Sequence, residues 1–337
     1  MEAHRRSEPG SIAIFRALQL GDMLCAVPAF RALRKRWPRA RISLVGLPWQ
    51  REIVERFPEY LDELIVFPGY PGLPEQGHDL AALTAFLEEM NRRSFDLLLQ
   101  MHGNGSILNP LLALCGAKKI AGFSAPDAYR PDAGMFIDYP EDLHEIERLL
   151  ALLRHLGIDG EPTLEFPISE DERLEFYRLA NRHKLRAGGY ACLHPGARDP
   201  VRRWSSENFS EVARHLLACG LQVVVTGTPA EARIAEQIVA ATDGRVVNLV
   251  GETSLGMLAA LIDNARVLVC NDTGVSHVAA ARGTPSVVLF TASDPAHWAP
   301  LDQTLHLPAP PDLNYDVSRV LTLVNTVLAR RDDKQAL

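Results

Sequence analysis

The stretch NDTGVSHVAAARGTPSVVLF, residues 271–290, decides the fold; it follows the apolar run 265–270. Four turn residues, Asn-Asp-Thr-Gly, separate that run from a series of small residues, and a Gly-Thr-Pro break precedes a second apolar run. The pattern predicts a buried strand, a tight turn, a helix over 274–282 and a second strand over 286–290. The turn residues either cap the helix or hold a ligand.

Short apolar runs alternate with helical patterns along almost the whole chain. This alternation predicts an α/β fold with parallel sheets covered by helices. The predicted strands lie at 12–17, 41–46, 63–67, 95–101, 118–122, 190–194, 221–226, 246–250, 266–270 and 286–290.

The two halves of the chain resemble each other in pattern. Each opens with strand, loop, helix and strand and then reaches Gly-x-Pro, at 46–48 and at 227–229. A segment rich in Gly, Pro and acids, 157–170, reads as the linker between two similar βαβ domains. A Pro-rich stretch, 307–318, precedes a last predicted helix near 315–331.

Composition excludes several classes of protein. The 337 residues are 47% hydrophobic and 23% charged, with a net charge of −7, which is normal for a globular protein and disfavours a nucleic-acid partner. We find no apolar run long enough to span a membrane and expect no signal peptide. The five cysteines are scattered without a C-x-x-C pair, so we expect reduced, structural thiols in a cytoplasmic chain.

Ligands of open parallel sheets bind beyond the carboxyl ends of the strands, so the candidate residues are those that follow strands. Backbone N–H groups near Thr273 and Gly274 begin a helix and suit an anion; in the alternative interpretation, Asp272 or Thr273 only caps the helix. His277 lies one helical turn further on and either faces the same cleft or is structural.

Three further loops carry polar candidates. Arg202 and Arg203 precede a helix start, where a guanidinium group suits phosphate, or they belong to a solvated basic loop. Glu231 stands in the first turn of a helix, where it complements the dipole or accepts hydrogen bonds from ribose hydroxyls. Asp22 follows the first strand and is either an N-cap or a general base. The basic segment 31–41 is either an exposed helix face or a site for an anionic acceptor or membrane surface.

Four motifs in order resemble glycosyltransferase family 9, whose best-known members are ADP-heptose:lipopolysaccharide heptosyltransferases. They are Leu20-Gly21-Asp22, with Pro28 and Ala29 in the following helix; His194-Pro-Gly-Ala197 with Arg202-Arg-Trp204; Gly227-Thr-Pro-Ala-Glu231; and Asn271-Asp-Thr-Gly274 with Ser276-His277. The likeness covers nearly the whole chain.

The resemblance implies a GT-B fold with two Rossmann-like domains that face a central cleft. Residues 1–162 would bind the acceptor, residues 163–312 the sugar nucleotide, and a helix in 313–337 would cross back onto the first domain. The family is inverting and needs no metal or other cofactor beyond its donor, expected here to be ADP-heptose.

The resemblance also implies roles for single residues. Asp22 would be the general base, Glu231 would bind the ribose, and the backbone near 252–254 would edge the adenine. The other donor-binding residues would be Arg202, Arg203, Asp272, Thr273, Gly274 and His277, and weaker acceptor contacts would come from Arg16, His102 and Arg130.

The sequence departs from the family in two ways. Arg202 stands where lipopolysaccharide members often have lysine, and the acceptor side lacks a dense basic cluster. We expect a glycan or glycolipid acceptor, and a cytoplasmic enzyme with a peripheral contact on the inner face of the cytoplasmic membrane. Two alternatives stay open: a GT-B sugar-nucleotide epimerase and a non-catalytic nucleotide-sugar-binding protein.

Overall fold

A computed structural model of the chain describes residues 8–311 and 316–335, with side chains up to residue 330. The chain divides into two compact units, Met1–Thr163 and Leu164–Leu337. The division falls inside the segment 157–170, the predicted linker. Each unit has its own parallel sheet and its own apolar core.

The first unit is a six-stranded parallel sheet in the order β3-β2-β1-β4-β5-β6 with helices in the connections. Its elements are β1 (Ser11–Phe15), α1 (Leu20–Arg36), β2 (Arg41–Gly46), α2 (Arg51–Arg56), β3 (Glu63–Val66), α3 (Leu80–Arg93), β4 (Leu97–Gln100), α4 (Leu108–Leu112), β5 (Ile120–Ser124), β6 (Phe136–Asp138) and α5 (Glu145–His155).

The second unit repeats this plan in the order β12-β11-β10-β7-β8-β9. Its elements are α6 (Glu170–His183), β7 (Tyr190–His194), α7 (Ser206–Ala218), β8 (Gln222–Val225), α8 (Ala232–Ala241), β9 (Val247–Asn248), α9 (Leu255–Asp263), β10 (Val267–Asn271), α10 (Gly274–Arg282), β11 (Ser286–Leu289), α11 (Pro295–Trp298), β12 (His306–Ala309) and α12 (Val317–Gln335). The predicted α/β class, with two Rossmann-like sheets as in GT-B enzymes, is confirmed.

Each sheet has a point where its strand order reverses. In the first unit the chain runs outward from β1 to β3 and then places β4 on the other side of β1. In the second unit it runs outward from β7 to β9 and then places β10 on the other side of β7. The loops that leave the central strands diverge at such a point and open a crevice, so the loops after β1, β4, β7 and β10 are the places for ligands.

Two edge strands were not predicted. β6 has only three residues, and β12 lies where the sequence indicated a Pro-rich connection. β12 contains Pro308, and a proline can occupy a sheet edge because its missing N–H can face outward. The carbonyl oxygens of Leu305 and Ala309 accept hydrogen bonds from Ser286 and Phe290 on the β11 side. By alternation, the nitrogen of Pro308 lies on the outer side.

The last helix requires a correction. We expected residues 313–337 to pack back on the first domain, but the valines of α12 at positions 320, 324 and 327 are buried in the core of the second unit. Their spacing forms one apolar stripe, and the stripe packs beside α7 and the strands β10 to β12. The described part of α12 therefore belongs to the second unit; residues 313–315 and the last two residues lie outside the described residues.

Four cysteines, Cys25, Cys115, Cys192 and Cys270, are buried as free thiols, whereas Cys219 is exposed. Burial raises the pKa of Cys115 to about 12, so its thiol stays protonated and inert. Within 8–311 and 316–335, no helix combines the length and the apolar character that crossing a membrane requires.

Candidate active site

Asp22 lies in the first turn of α1, directly after the loop that leaves β1. Its Oδ2 accepts a hydrogen bond from the backbone N–H of Gln19 at 3.3 Å, so Asp22 does help to cap the helix. Burial raises the pKa of its carboxyl group, with the nearby Arg16 guanidinium acting in the opposite direction. A carboxylate with a raised pKa is a better proton acceptor than a solvated one, so capping and proton transfer are compatible here.

Arg16 is not available as an acceptor contact, which corrects our expectation for this residue. The side chain is 1% exposed. Its Nε and Nη2 donate to the carbonyl oxygen of Asp22 at 3.0 and 2.8 Å, and its Nη1 donates to the carbonyl oxygen of Met101. Nη2 also bonds to Glu145 Oε1 at 2.8 Å. Arg16 therefore ties the loop after β1 to the loop after β4 and to α5.

Glu145 and Arg148, at the start of α5, extend this buried network. Arg148 donates to Glu145 Oε2, and its Nε donates to the carbonyl oxygen of Pro140 at 2.9 Å. The guanidinium carbon of Arg148 lies 4.5 Å from the centre of the Tyr139 ring, a cation–π distance. Each charged group in this network therefore contacts an opposite charge or a polar acceptor.

His102 follows β4 and is 6% exposed. Its Nδ1 accepts a hydrogen bond from the backbone N–H of Ala17 at 3.3 Å, and its Nε2 lies 3.7 Å from Glu75 Oε1. Burial, together with the charge of Arg16, lowers the pKa of His102 to about 3, so the ring is neutral near pH 7. His102 therefore lies at the crevice between β1 and β4, whereas the third acceptor candidate, Arg130, pairs with Asp138 at the end of β6.

In the second unit, Asn271 at the end of β10 holds the loop that follows β7. Its Oδ1 accepts from the backbone N–H of Trp204 at 3.0 Å, and its Nδ2 donates to the carbonyl oxygen of Pro195 at 2.7 Å. Arg203 stabilises the same loop through a hydrogen bond from Nε to the carbonyl oxygen of Ala197 at 2.8 Å. One side chain thus fixes both ends of the loop that carries Arg202.

Glu231 is buried beside this loop. The backbone N–H and the hydroxyl of Thr228 both donate to its Oε2, at 2.7 and 3.0 Å. Its Oε1 accepts no hydrogen bond from any described residue. The neighbouring His194 bonds through Nδ1 to the Thr226 hydroxyl at 3.0 Å, and burial lowers the pKa of its imidazole against the opposing effect of Glu231. Because burial lowers the pKa of His194, the neutral form of this histidine is favoured near the Glu231 carboxylate.

The start of α10 leaves hydrogen-bonding groups open. Thr273 is the N-cap residue, but its hydroxyl makes no capping hydrogen bond and its Oγ1 is buried without a partner among the described residues. The backbone N–H groups of Gly274 and Val275 also meet no acceptor within residues 8–311 and 316–335. Ser276 is different, because its N–H and hydroxyl both bond to the carbonyl oxygen of Thr273. The first turn thus offers two N–H groups and a hydroxyl to an anion.

Asp272 and His277 flank this turn and are 3% and 2% exposed. Asp272 Oδ2 accepts from the Ser293 hydroxyl and lies 3.6 Å from Nη1 of the half-exposed Arg202. Burial raises the pKa of Asp272, and the hydrogen bond from Ser293 and the charge of Arg202 act in the opposite direction. The guanidinium group of Arg202 therefore lies near the start of α10, whose hydrogen-bond donors suit an anion, at the crevice between β7 and β10.

The loop after β9, which we expect to contact the edge of the adenine ring, lies next to the loop after β8. The N–H of Gly251 donates to the carbonyl oxygen of Gly227 at 2.9 Å, which joins the loop after β9 to the loop after β8. Ser254 caps α9 through a bond to the N–H of Met257. The segment 252–254 thus lies next to the loop that carries Glu231.

The basic segment 31–41 is largely engaged within the first unit. Arg34 donates to Asp62 at 2.7 Å, and Arg41 pairs with Glu63 at 2.9 Å. Arg31 donates to the carbonyl oxygens of residues 161 and 163. These bonds favour a role in holding the helix end and the linker over a role as an anion-binding surface. Among the described residues, no group of three His, Cys, Asp or Glu side chains could hold a metal ion.

Glu145, Arg148 and Ser293 were not predicted from the sequence. Ser293 lies in the loop after β11, so it meets the same criterion as the other candidates, which also follow strands. No comparable signal exists for Glu145, which joins Arg16 from 129 residues away. Charged residues at the start of an amphipathic helix look like exposed residues until the tertiary contacts are known.

Residues 83–307 match the model of glycosyltransferase family 9 (heptosyltransferase). The chain is 29% identical over 300 residues to lipopolysaccharide heptosyltransferase 2 of Escherichia coli K12, covering 84% of this chain and 83% of that protein. It is 24% identical to the lipopolysaccharide core heptosyltransferase OpsX of Haemophilus influenzae, over 87% of this chain and 82% of that protein.

Solved structures show the same fold. A family 9 glycosyltransferase from Veillonella parvula aligns with a TM-score of 0.79 and 21% identity, covering 95% of this chain and 97% of that chain. The Escherichia coli ADP-heptose lipopolysaccharide heptosyltransferase II aligns with a TM-score of 0.75 and 23% identity, covering 96% and 99%. The extent of the family match, joined to the strand-end motifs, shows that this chain belongs to glycosyltransferase family 9 and is a glycosyltransferase.

Proposed function

We propose that the protein is an inverting, metal-independent heptosyltransferase that transfers heptose from ADP-heptose to a hydroxyl group of a lipopolysaccharide-core acceptor. The observation that carries this proposal is the open first turn of α10, with its unbonded N–H groups and the buried hydroxyl of Thr273 beside Arg202. A pyrophosphate needs such a set of donors. The relatives named as heptosyltransferases supply the choice of sugar.

In the donor site we assign the pyrophosphate to the N–H groups of Gly274 and Val275, with the Thr273 hydroxyl as a third donor. Arg202 neutralises part of the phosphate charge, which replaces the role a divalent cation plays in other enzymes. The free Oε1 of Glu231 accepts hydrogen bonds from ribose hydroxyls. Asp272 lies close to the sugar and keeps Arg202 in place.

In the transfer step, Asp22 takes the proton from the acceptor hydroxyl as that oxygen attacks the anomeric carbon. The new carbon–oxygen bond forms while the bond from the anomeric carbon to the phosphate oxygen breaks. The nucleoside diphosphate leaves with the electron pair, and the configuration at the anomeric carbon inverts. The raised pKa of Asp22 supports this assignment, because the base must accept a proton from a hydroxyl group.

We place the acceptor-binding site in the first unit, near His102. The engaged arginines of segment 31–41 leave few free positive groups there, so we expect only a weak peripheral contact with an anionic membrane. The epimerase alternative has less support, since the likeness to a UDP-GlcNAc 2-epimerase from Methanocaldococcus jannaschii is at 14% identity and concerns the fold alone.

A thermal-shift screen of nucleotide sugars tests the donor assignment. A ligand that binds only the folded state raises stability by mass action, by about 2.7 kcal/mol at a hundredfold excess over Kd. ADP-heptose should raise the midpoint in the presence of EDTA, and UDP- and GDP-sugars should not. A response to UDP-sugars alone, or a strict need for a divalent cation, would rule out the donor site as proposed.

A further inference from the structure

Arg148, Glu145 and Arg16 form a buried chain of hydrogen bonds in the first unit that ends at the carbonyl oxygen of Asp22, in the first turn of α1. We call this chain the relay. Glu145 Oε1 bonds to Arg16 at 2.8 Å, and Arg16 donates twice to the carbonyl oxygen of Asp22. Arg148 bonds to the other carboxylate oxygen of Glu145. Arg16, Glu145 and Arg148 are 1%, 6% and 4% exposed. Charged groups removed from solvent therefore tie α1 to α5.

Stability alone does not call for this relay. Burying charges costs several kcal/mol per ion, and well-packed apolar residues of similar size often serve as well or better. α5 already buries an apolar stripe that includes Ile146, Leu149 and Leu153. The relay does something that the apolar stripe cannot, because it fixes the position of one backbone carbonyl group, that of Asp22.

We propose that Glu145 is a positioning residue for Asp22, acting through Arg16, and that its charge also keeps the Asp22 carboxylate basic. This inference rests on the proposed role of Asp22 as general base. The carbonyl group of Asp22 and its side chain share one α-carbon, so a fixed carbonyl group limits where the carboxylate can point. Without Glu145, the guanidinium group of Arg16 would be free to turn toward that carboxylate.

The electrostatics of the cluster agree with the geometry. Burial raises the pKa of Asp22, the charge of Arg16 lowers it, and the charge of Glu145 raises it. Glu145 thus offsets the effect of Arg16 on the base. The ionisable groups that interact with Asp22, Arg16 or Glu145 in this cluster are His102, Tyr139 and Arg148.

A titration of Asp22 followed by carboxyl-carbon NMR tests the relay without any substrate. The full chain is labelled at aspartate side chains, and the Asp22→Asn variant assigns the signal. Glu145→Gln keeps an oxygen that can accept from Arg16 but removes the charge. The titration midpoint of Asp22 should then move to lower pH. An unchanged midpoint would overturn the proposal.

Glu63→Gln is the matched control in the same unit. Glu63 is bound by Arg41 and Arg93, so its loss removes a carboxylate from an arginine pair without any bonded path to Asp22. The Asp22 midpoint should stay where it is in this control. A shift of equal size in Glu63→Gln would mean that the change in net charge, rather than the relay, moves the titration.

Turnover with ADP-heptose and a lipopolysaccharide-core acceptor gives the second readout. Glu145→Ala should lower kcat by about 10- to 100-fold through misplacement of the base, whereas KM for the donor stays unchanged. Glu145→Gln should retain more of kcat than Glu145→Ala, because it retains the hydrogen bond. A loss of thermal stability in both variants with unaltered kcat would show a merely structural role.

The two proposals fail in different ways. Full turnover by Asp22→Asn would remove the proposed function of Asp22, and the NMR titration would still report whether Glu145 controls that carboxyl group. An inactive Asp22→Asn combined with an unmoved titration in Glu145→Gln would overturn the relay alone.

Discussion

Gly196 lies directly against the carboxylate of Glu231. A Cβ atom built on Gly196 would come within 1.9 Å of Oε1 and 2.1 Å of the carboxyl carbon. The missing side chain at position 196 is therefore what allows Glu231 to stand buried with one oxygen free. A glycine in the loop after β7 and a carboxylate in the loop after β8 are therefore packed directly against each other.

Replacing Gly196 tests this contact. Gly196→Ala should displace the Glu231 carboxylate and remove the bonds to ribose that we propose for it, which would be worth about 1.5–3 kcal/mol for a charged acceptor. The Kd for ADP-heptose, measured by calorimetry, should rise about 10- to 100-fold. Gly134→Ala is the matched control, since the nearest atom to its added Cβ is at 3.9 Å. Equal donor affinity in both variants would contradict the assignment of Glu231.

Asp22→Asn tests the general base. The amide oxygen can still accept the hydrogen bond from Gln19, so the cap on α1 is retained. We expect kcat to fall about 10²- to 10⁴-fold, the usual contribution of a general base, with an unchanged Kd for the donor. Thermal unfolding should show equal or greater stability at pH 7, because the variant no longer buries a carboxylate. Turnover near that of the native enzyme would exclude Asp22 from proton transfer.

The pH dependence of kcat/KM should carry the signature of Asp22. Burial raises the pKa of this carboxyl group above its ordinary value of 3.8, so the active, deprotonated form is lost at a higher pH than for a solvated aspartate. kcat/KM should therefore decrease as the pH falls through that raised pKa. The neighbouring His102, with a pKa of about 3, stays neutral over the same range and adds no second step there. A profile that is flat on the acid side would contradict this assignment.

His306 should make the second unit sensitive to acid. Burial lowers its pKa from 6.5 to about 4, while its Nδ1 lies 2.9 Å from the Ser286 hydroxyl. Between those pH values the unfolded chain binds a proton that the folded chain does not, so stability is full above pH 6.5 and is lost as the pH falls. At pH 5 the loss is about 2 kcal/mol, from 1.36 kcal/mol per pKa unit.

Urea unfolding at pH 7.5 and pH 5 measures this loss. His306→Gln should show a smaller difference in unfolding free energy between the two pH values than the native chain does. His78→Gln, a change at an exposed histidine, should leave the difference as it is. A native-sized difference in His306→Gln would show that other groups cause the acid sensitivity.

The sequence predicted most of the architecture because the signals for it are local. Alternating apolar runs identify the buried strands, and Gly-Asp or Thr-Gly after a strand marks a helix start. The helix at Gly274–Arg282 was predicted with its exact bounds. The edge strands β6 and β12 were missed because strands at an edge are short and need no continuous apolar run.

The candidate sites could be found only in part. Glu231, Asp272 and Thr273 follow strands and are therefore visible in the sequence. Arg16 was misjudged, because an arginine after a strand usually faces solvent, whereas here Glu145 and two backbone carbonyl groups compensate for its burial. Such a contact is set by the packing of α5 on α1, which no local pattern encodes.

The proline on the outer side of β12 has a consequence for assembly. Exposed strand edges invite pairing with a second chain, which leads to aggregation or to sheets that run through two subunits. Pro308 offers no donor to an incoming strand, and the opposite edge, β9, has only two residues. Within the described residues, the sheet of the second unit therefore offers little free edge for strand addition, and we expect any contact between copies through this unit to use its helices or loops.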